Sequence, residues 1–105
     1  MNDEKAVGLS IIMPAYNEEA NIEKTIRAAH HVLARIGVEG EIVVANDGSR
    51  DRTLELLESL RADLPNLVVV NHHTNMGYGA ALKSAVQASR GEYVATIDSD
   101  GQFDI

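Results

Sequence analysis

The sequence has no cysteine, so it contains neither a disulfide framework nor a thiolate that could act as a nucleophile. Basic residues are also scarce, with 9 Lys and Arg against 16 Asp and Glu, and the net charge is −7. No basic stripe runs along the chain, which argues against nucleic acid as a partner but leaves room for a nucleotide whose phosphates bind a metal ion.

Long apolar segments are missing as well. No apolar run approaches the ~20 residues that a membrane-spanning helix needs. The first eight residues, MNDEKAVG, are charged and lack the apolar core of a signal peptide. We therefore expect a cytoplasmic protein.

Apolar residues still make up 45% of the 105 positions, which is enough for a folded core, and we take residues 1–105 as one domain or part of one. Four runs rich in β-branched and aliphatic residues predict buried strands, at residues 9–13, 41–45, 67–70 and 93–97. Apolar residues between these runs recur at helical spacing, most clearly at Ile22, Ile26, Ala29 and Leu33.

The β-α-β-α-β-α-β alternation predicts an α/β fold, a Rossmann-like parallel sheet with right-handed crossovers and helices on both faces. We expect the strand order 3-2-1-4. Pro14 should end the first strand, because proline cannot continue a central ladder. Asn17 should cap the first helix.

Polar loops follow three of the predicted strands. They carry Tyr16-Asn17-Glu18, Asn46-Asp47-Gly48-Ser49 and Asp98-Ser99-Asp100. In a parallel sheet with this strand order, the carboxyl ends of strands 1, 2 and 4 meet where the strand order reverses, and ligands bind there. We therefore expect these loops to line one crevice.

Two carboxylates close to each other end the fourth predicted strand. Residues two apart on an extended segment point to the same side, so Asp98 and Asp100 aim at one spot. At ~5 Å and an effective dielectric of ~20, such charges repel by roughly 3 kcal/mol. A divalent cation bound by carboxylates and substrate phosphates would relieve this repulsion. The alternative is a polar strand end followed by a glycine turn.

The three loops resemble those of the family 2 glycosyltransferases, which have the GT-A fold. Residues 13–18, MPAYNE, are similar to the family's P-x-Y-N-E after strand 1. Residues 46–51, NDGSRD, are similar to its D-D-G-S-x-D after strand 2, and Asp98-Ser99-Asp100 to its D-x-D. Asn75-x-Gly77, with Lys83 following, resembles the N-x-G segment that opens helix 3.

The likeness covers residues 9–104, and the stretch DSDGQFD at 98–104 is closest to the dolichyl- or polyprenyl-phosphate mannose synthase branch. The resemblance implies the N-terminal half of a GT-A fold, which binds a GDP- or UDP-sugar. The implied nucleotide-binding residues are Pro14, Ala15, Tyr16, Glu18, Asp47, Lys83 and Asp98. The implied ligands of a Mg²⁺ or Mn²⁺ cofactor are Asp98, Asp100 and Gln102.

The resemblance also implies an acceptor, for which a polyprenyl phosphate is the candidate, at the cytoplasmic face of a membrane in the full-length protein. Asn46 departs from the family pattern, where the first Asp usually stands, so we expect the base preference to change. The family's catalytic base and acceptor site lie downstream of the D-x-D, and no catalytic residue is assigned here. We therefore expect the 105 residues alone to lack transfer activity and to self-associate through an unprotected sheet edge.

Two other functions remain open at this point. A haloacid dehalogenase-type phosphatase also carries D-x-D after a strand, although on its first strand rather than its fourth. The second is a non-catalytic nucleotide-binding module, such as a receiver domain, which fits the length of the chain. A receiver domain needs paired acidic residues after strand 1, where this chain has residues 14–18, PAYNE.

We assign no functional role to several other polar residues. The adjacent histidines at 30–31 and 72–73 are expected at the surface or at helix edges. Adjacent residues on a helix point ~100° apart, so such a pair is poorly placed to bind a metal ion. Glu39, Glu41 and Asp63 are expected to be solvated charges. For Lys83, a solvated helix lysine is the alternative to a phosphate contact.

Overall fold

The computed structural model describes residues 7–98, in which strands and helices alternate along the chain. The strands are β1 (Leu9–Ala15), β2 (Gly40–Asp47), β3 (Leu67–His72) and β4 (Tyr93–Thr96). The helices are α1 (Ile22–Ile36), α2 (Thr53–Asp63) and α3 (Tyr78–Ala88). All strand pairs are parallel, in the order β3-β2-β1-β4, which confirms the predicted fold class and topology.

Helix α1 shows how the apolar spacing sets the buried face. The four residues that recur at helical spacing are all buried, and Gly37 ends the helix in the left-handed conformation, with φ of 69°. The residue before the helix is Asn21 and not Asn17, so the predicted cap is wrong. No helix of residues 7–98 is both long and apolar enough to cross a membrane.

The central strands β1 and β2 are covered on both faces, because successive side chains of a strand point to opposite sides. On one face, Ile11 and Val44 belong to a cluster that includes the buried apolar residues of α1 and α2. On the other face, Ile12 and Val43 pack with Ala81 and Ala85 of α3. The small alanine side chains let α3 lie close to the sheet. This arrangement fixes the amino end of α3 beside the carboxyl ends of β1 and β2.

Strand β4 is an exposed edge strand, so the prediction of a buried fourth strand is wrong. It pairs with β1 from Leu9↔Tyr93 to Ile12↔Thr96, and residues 7–98 place no strand on its other side. Tyr93 is 70% exposed and Val94 44%. Its composition does suit a strand, but burial depends on covering helices, and the three helices pack on β1, β2 and β3.

Pro14 lies inside β1 and does not end it. The ladder with β2 continues through Pro14↔Ala45 to Ala15↔Asn46. The carbonyl groups of Gly8 and Ile12 accept hydrogen bonds from the amides of Tyr93 in β4 and of Ile97 just after it. Alternate residues of a strand direct their backbone groups to the same neighbour, so the nitrogen of Pro14 also faces the β4 side. Pairing with β4 has already ended at Ile12, and the missing N–H of Pro14 therefore breaks no ladder bond.

Glu41 is buried at the amino ends of the strands, so its prediction as a solvated charge is wrong. Its side chain is 3% exposed, and Oε2 accepts hydrogen bonds from Ser10 Oγ and Arg90 N–H, both at 2.6 Å. The Arg90 guanidinium lies 3.6 Å from Oε1, and Gly91 N–H donates to Ser10 Oγ at 2.7 Å. Donors from two distant segments thus compensate a buried charge, and they hold the turn before β4.

Candidate functional site

A pocket of about 340 Å³ lies at the carboxyl edge of the sheet. Its lining residues come from β1 and the loop after it, the end of β2, the turn before α3, the start of α3 and the segment after β4. They are Pro14, Ala15, Tyr16, Glu18, Asp47, Asn75, Gly77, Tyr78, Ala81 and Asp98. The topology therefore brings together segments that are distant in the sequence, at the edge where parallel α/β sheets bind ligands.

The loops after β1 and β2 bind each other through their motif side chains. The N–H of Asn17 donates to Ser49 Oγ at 2.9 Å. Asn17 Oδ1 accepts from Arg50 N–H at 2.7 Å and from Asp51 N–H at 3.4 Å. Asn17 has φ of 53°, a left-handed conformation that asparagine adopts more readily than most residues. These contacts fix the position of the neighbouring Tyr16 relative to the second loop.

Asp51 ties the same two loops to the start of α2. Its Oδ1 accepts from Thr53 Oγ1 at 2.5 Å and from Thr53 N–H at 2.9 Å, and its Oδ2 accepts from Glu19 N–H at 3.1 Å. Burial acts to raise the pKa of Asp51, but the hydrogen bonds from Thr53 and Glu19 outweigh it and hold the pKa below its usual value. Glu18 N–H also donates to Thr53 Oγ1, at 2.8 Å.

Asp47 holds the turn that precedes α3. Its Oδ1 accepts from Met76 N–H and its Oδ2 from Gly77 N–H, both at 2.9 Å, and Oδ1 lies 2.9 Å from His72 Nδ1. Burial acts to raise the pKa of Asp47, but the Met76 amide, the His72 ring and the Gly77 amide together hold the pKa below its usual value. The carboxylate is therefore charged at neutral pH, and it faces both the turn and the pocket.

His72 is not the surface residue that the sequence predicted. Its side chain is only 12% exposed, and its Nε2 lies 2.8 Å from Ser84 Oγ of α3. The ring thus joins the end of β2, the end of β3 and the middle of α3. His73, by contrast, is exposed as expected.

Gly48 allows the turn before α3 to approach the end of β2. A Cβ atom on Gly48 would lie 2.3 Å from the backbone nitrogen of Asn75 and 2.4 Å from the carbonyl carbon of Thr74. Its φ of 69° also lies in the left-handed region that favours glycine. Any larger residue would push Asn75 away and change a wall of the pocket.

Asn46, which departs from the family pattern, does not line the pocket. It is buried, its Oδ1 accepts from Ser49 Oγ at 2.5 Å, and its Nδ2 donates to Asn71 Oδ1 at 2.8 Å. An asparagine fits this place because it accepts on one side and donates on the other. Its effect on base preference stays a prediction.

The structure gathers six of the seven residues that the resemblance assigns to nucleotide binding, and their role as contacts stays a prediction. These six are Pro14, Ala15, Tyr16, Glu18, Asp47 and Asp98. Lys83 is exposed on α3 and is not among the lining residues. The predicted metal ligands Asp100 and Gln102 lie outside the described residues.

Four lining residues are not among the predicted site residues, and all of them lie in the turn before α3 or in α3 itself: Asn75, Gly77, Tyr78 and Ala81. The signal available in the sequence was Asn75-x-Gly77, which resembles the family's N-x-G segment. Its place in the pocket depends on the hydrogen bonds to Asp47, which no local pattern reveals.

A divalent cation would find only part of its ligand set among residues 7–98. Within that range, no three His, Cys, Asp or Glu side chains come together in a way that could hold a metal ion. Asp98, which is exposed and lines the pocket, offers hard carboxylate oxygens of the kind that Mg²⁺ and Mn²⁺ bind alongside phosphate and water. The donor chemistry therefore fits a cation held jointly with a phosphorylated ligand.

Comparison with solved structures finds this fold in proteins that were solved with a nucleotide or a nucleotide sugar. The structure of S. aureus TarS 1-349 in complex with UDP aligns with a TM-score of 0.76 and 33% identity, over 90% of this chain and 28% of that one. The mannosyltransferase PcManGT from Pyrobaculum calidifontis, in complex with GDP-Man and Mn²⁺, aligns with a TM-score of 0.77 and 27% identity, over 88% and 27%.

Sequence comparison leads to the same family. The dolichyl-phosphate beta-glucosyltransferase ALG5A of Trichomonas vaginalis is 36% identical over 104 residues, which cover 94% of this chain and 32% of that protein. The chain thus spans about a third of the length of this relative. The family model described as glycosyl transferase family 2 matches residues 10–105, nearly the whole sequence. The chain belongs to glycosyl transferase family 2.

Proposed function

We propose that residues 1–105 bind the nucleotide of a UDP- or GDP-sugar, from which the whole protein transfers the sugar to an acceptor. Family membership supports a glycosyltransferase. The relatives solved with UDP and with GDP-Man support the two nucleotide classes. The chain spans about a third of the length of its ALG5A relative, so the residues that perform transfer are not assigned.

The pocket at the carboxyl edge is the observation that carries this proposal. Tyr16 is 43% exposed and lines the pocket, so its ring is available to a nucleobase. Asp47 also lines the pocket, and its carboxylate has about four acceptor positions, of which three are used by Met76, Gly77 and His72. The remaining position on Oδ2 suits a base that carries a ring N–H, as uracil and guanine both do.

A divalent cation, Mg²⁺ or Mn²⁺, is part of the proposal. Asp98 would hold it together with Asp100 and Gln102 from the adjoining segment. When bound, the ion would neutralise the diphosphate and stabilise it as the leaving group. The solved relatives with Mn²⁺ support a metal of this class.

The acceptor that we propose is a polyprenyl phosphate. The support is the name of the relative ALG5A, which is a dolichyl-phosphate glucosyltransferase. An acceptor of this kind is itself a membrane lipid, so we place the whole protein at the cytoplasmic face of a membrane. Nucleic acid is not proposed as a partner, given the net charge of −7.

A pair of tyrosine variants tests the nucleotide pocket. Tyr16→Ala removes the ring beside the proposed base, and stacking on an aromatic ring contributes ~1–3 kcal/mol per base. We expect UDP and GDP to bind at least about fivefold more weakly to this variant in isothermal titration calorimetry with Mn²⁺. Tyr93→Ala is the matched control, because Tyr93 is also exposed but lies on β4 away from the pocket lining.

Equal affinity of the Tyr16 and Tyr93 variants would contradict the assignment of this pocket. Binding of nucleotide by a longer chain without any turnover of a nucleotide sugar would favour the non-catalytic binding module. Release of phosphate from a simple phosphoester would favour the phosphatase, which the family match does not support.

A further inference from the structure

His72 lies next to the pocket without lining it, and the proposed function gives it no role. It is largely buried, and both of its ring nitrogens have a partner within 2.9 Å. The partners are Asp47 on β2 and Ser84 on α3. The ring therefore joins the carboxylate that faces the pocket to the helix whose first turn forms a pocket wall.

The carboxylate of Asp47 fixes the direction of its hydrogen bond with His72, and the bond to Ser84 follows from it in the neutral ring. The ionised carboxylate of Asp47 only accepts, so His72 Nδ1 must carry the proton and donate to Oδ1. In the neutral ring, Nε2 then accepts from the hydroxyl of Ser84. One chain of hydrogen bonds runs from α3 through the ring to Asp47.

Asp47 connects His72 to the wall of the pocket. Its two oxygens also accept from the amides of Met76 and Gly77, and Gly77 itself lines the pocket. The neighbouring Asn75 packs against the backbone of Gly48. A rotation of the Asp47 carboxylate would break the hydrogen bonds from these two amides and release the turn. It would also redirect the free acceptor position on Oδ2.

We propose that His72 is a positioning residue of the nucleotide pocket. By holding the Asp47 carboxylate in one orientation, it keeps the turn at residues 75–77 in place as a wall and keeps Oδ2 directed at the ligand. This role rests on the proposed function, since the ligand that benefits is the nucleotide.

Two amide variants separate the two ring nitrogens. In His72→Asn, the side-chain nitrogen stands at the same bond distance from Cα as Nδ1, so the donor to Asp47 is retained. In His72→Gln, the amide nitrogen takes the place of Nε2 and donates to the Ser84 hydroxyl, which can accept as well as donate. The contact with Ser84 is therefore retained with its direction reversed, and the donor to Asp47 is lost. His73→Gln is the control for a neighbouring exposed histidine.

Calorimetry with UDP and GDP in Mn²⁺ should rank these variants. Because the lost hydrogen bond is one to a charged group, we expect His72→Gln to weaken binding by about tenfold or more. The affinity of His72→Asn should lie within about threefold of the parent's, and the affinity of His73→Gln should equal the parent's. Equal weakening by the asparagine and glutamine variants would overturn the positioning role, because a merely structural histidine would not distinguish them.

Amide hydrogen exchange gives a second readout that needs no nucleotide. The amides of Met76 and Gly77 should exchange faster in His72→Gln than in His72→Asn, with those of β1 and β2 unchanged. Unchanged exchange at Met76 and Gly77 in His72→Gln would overturn the positioning role. If the parent chain binds neither nucleotide, the proposed function fails, and the exchange rates still decide whether His72 holds the turn.

Discussion

Asp47 and Glu41 are buried carboxylates and Asp51 is a partly buried one, and each accepts at least one hydrogen bond from a distant part of the chain. Asp47 and Asp51 receive backbone amides from the loops that form the pocket edge. Glu41 accepts hydrogen bonds from Ser10 and Arg90 at the opposite edge of the sheet. A buried charge of this kind is tolerated only while its donors stay in place, so these residues make the loop positions specific.

Asp51 gives the stability of the domain a dependence on pH. Its pKa in the folded chain lies below the ordinary value of about 3.9, so the unfolded chain binds protons more readily as the pH falls. Its contribution is therefore complete above about pH 5 and is lost as the pH falls through the lowered folded pKa. Asp51→Asn should remove an acceptor and destabilise the domain by ~1–3 kcal/mol at pH 7.

Urea unfolding of the parent and of Asp51→Asn at pH 7, 5, 4 and 3 measures this difference. The gap between the two proteins should narrow as the solution becomes more acidic. Asp63→Asn is the control, because Asp63 is exposed and should change stability by no more than ~0.5 kcal/mol. A gap that stays constant from pH 7 to pH 3 would contradict the assigned role of Asp51.

The helices and central strands follow from sequence patterns because each pattern reports a local property. The spacing of Ile22 and Ile26 gives the buried face of α1, and the continuous apolar runs give β1 and β2. The exposure of Tyr93 could not be predicted in this way, because it depends on which helices cover β4. The continuation of β1 through Pro14 depends likewise on where the neighbouring strand ends.

The exposed edge of β4 predicts self-association of the 105-residue chain. The open edge of a strand that also exposes apolar side chains is a template for pairing with another chain. Val94→Lys places a charge on this strand, and we expect it to reduce the dimer or larger species seen in sedimentation velocity runs. Val86→Lys on α3 is matched in exposure, 47% against 44%, and should leave association unchanged.

If both lysine variants reduce association equally, the contact does not depend on the strand edge. If the parent chain is monomeric at concentrations of about 100 μM, the prediction of self-association is wrong. Both outcomes leave the nucleotide pocket unaffected, because neither Val86 nor Val94 is among its lining residues.

At the scale of the whole molecule, the parallel topology brings motifs that are distant in the sequence to one edge of the sheet. Tyr16, Asp47 and Asp98 were assigned to nucleotide binding from motif resemblance, and the strand order brings them to one pocket. The pairing of Asp47 with His72 joins residues 25 positions apart, which no spacing rule reveals. The net charge of −7 adds a further constraint, because a diphosphate would bring about two more negative charges to an acidic molecule.

An NMR titration of the isotopically labelled chain tests the central claim most directly. UDP and GDP are added in Mg²⁺ and then in excess chelator, and the backbone amide shifts are followed. We expect changes at residues 15–18, 47–48 and 75–78, none at Ser10 and Glu41 on the opposite edge, and weaker binding in chelator. Changes confined to another surface, or none at millimolar nucleotide, would contradict the account.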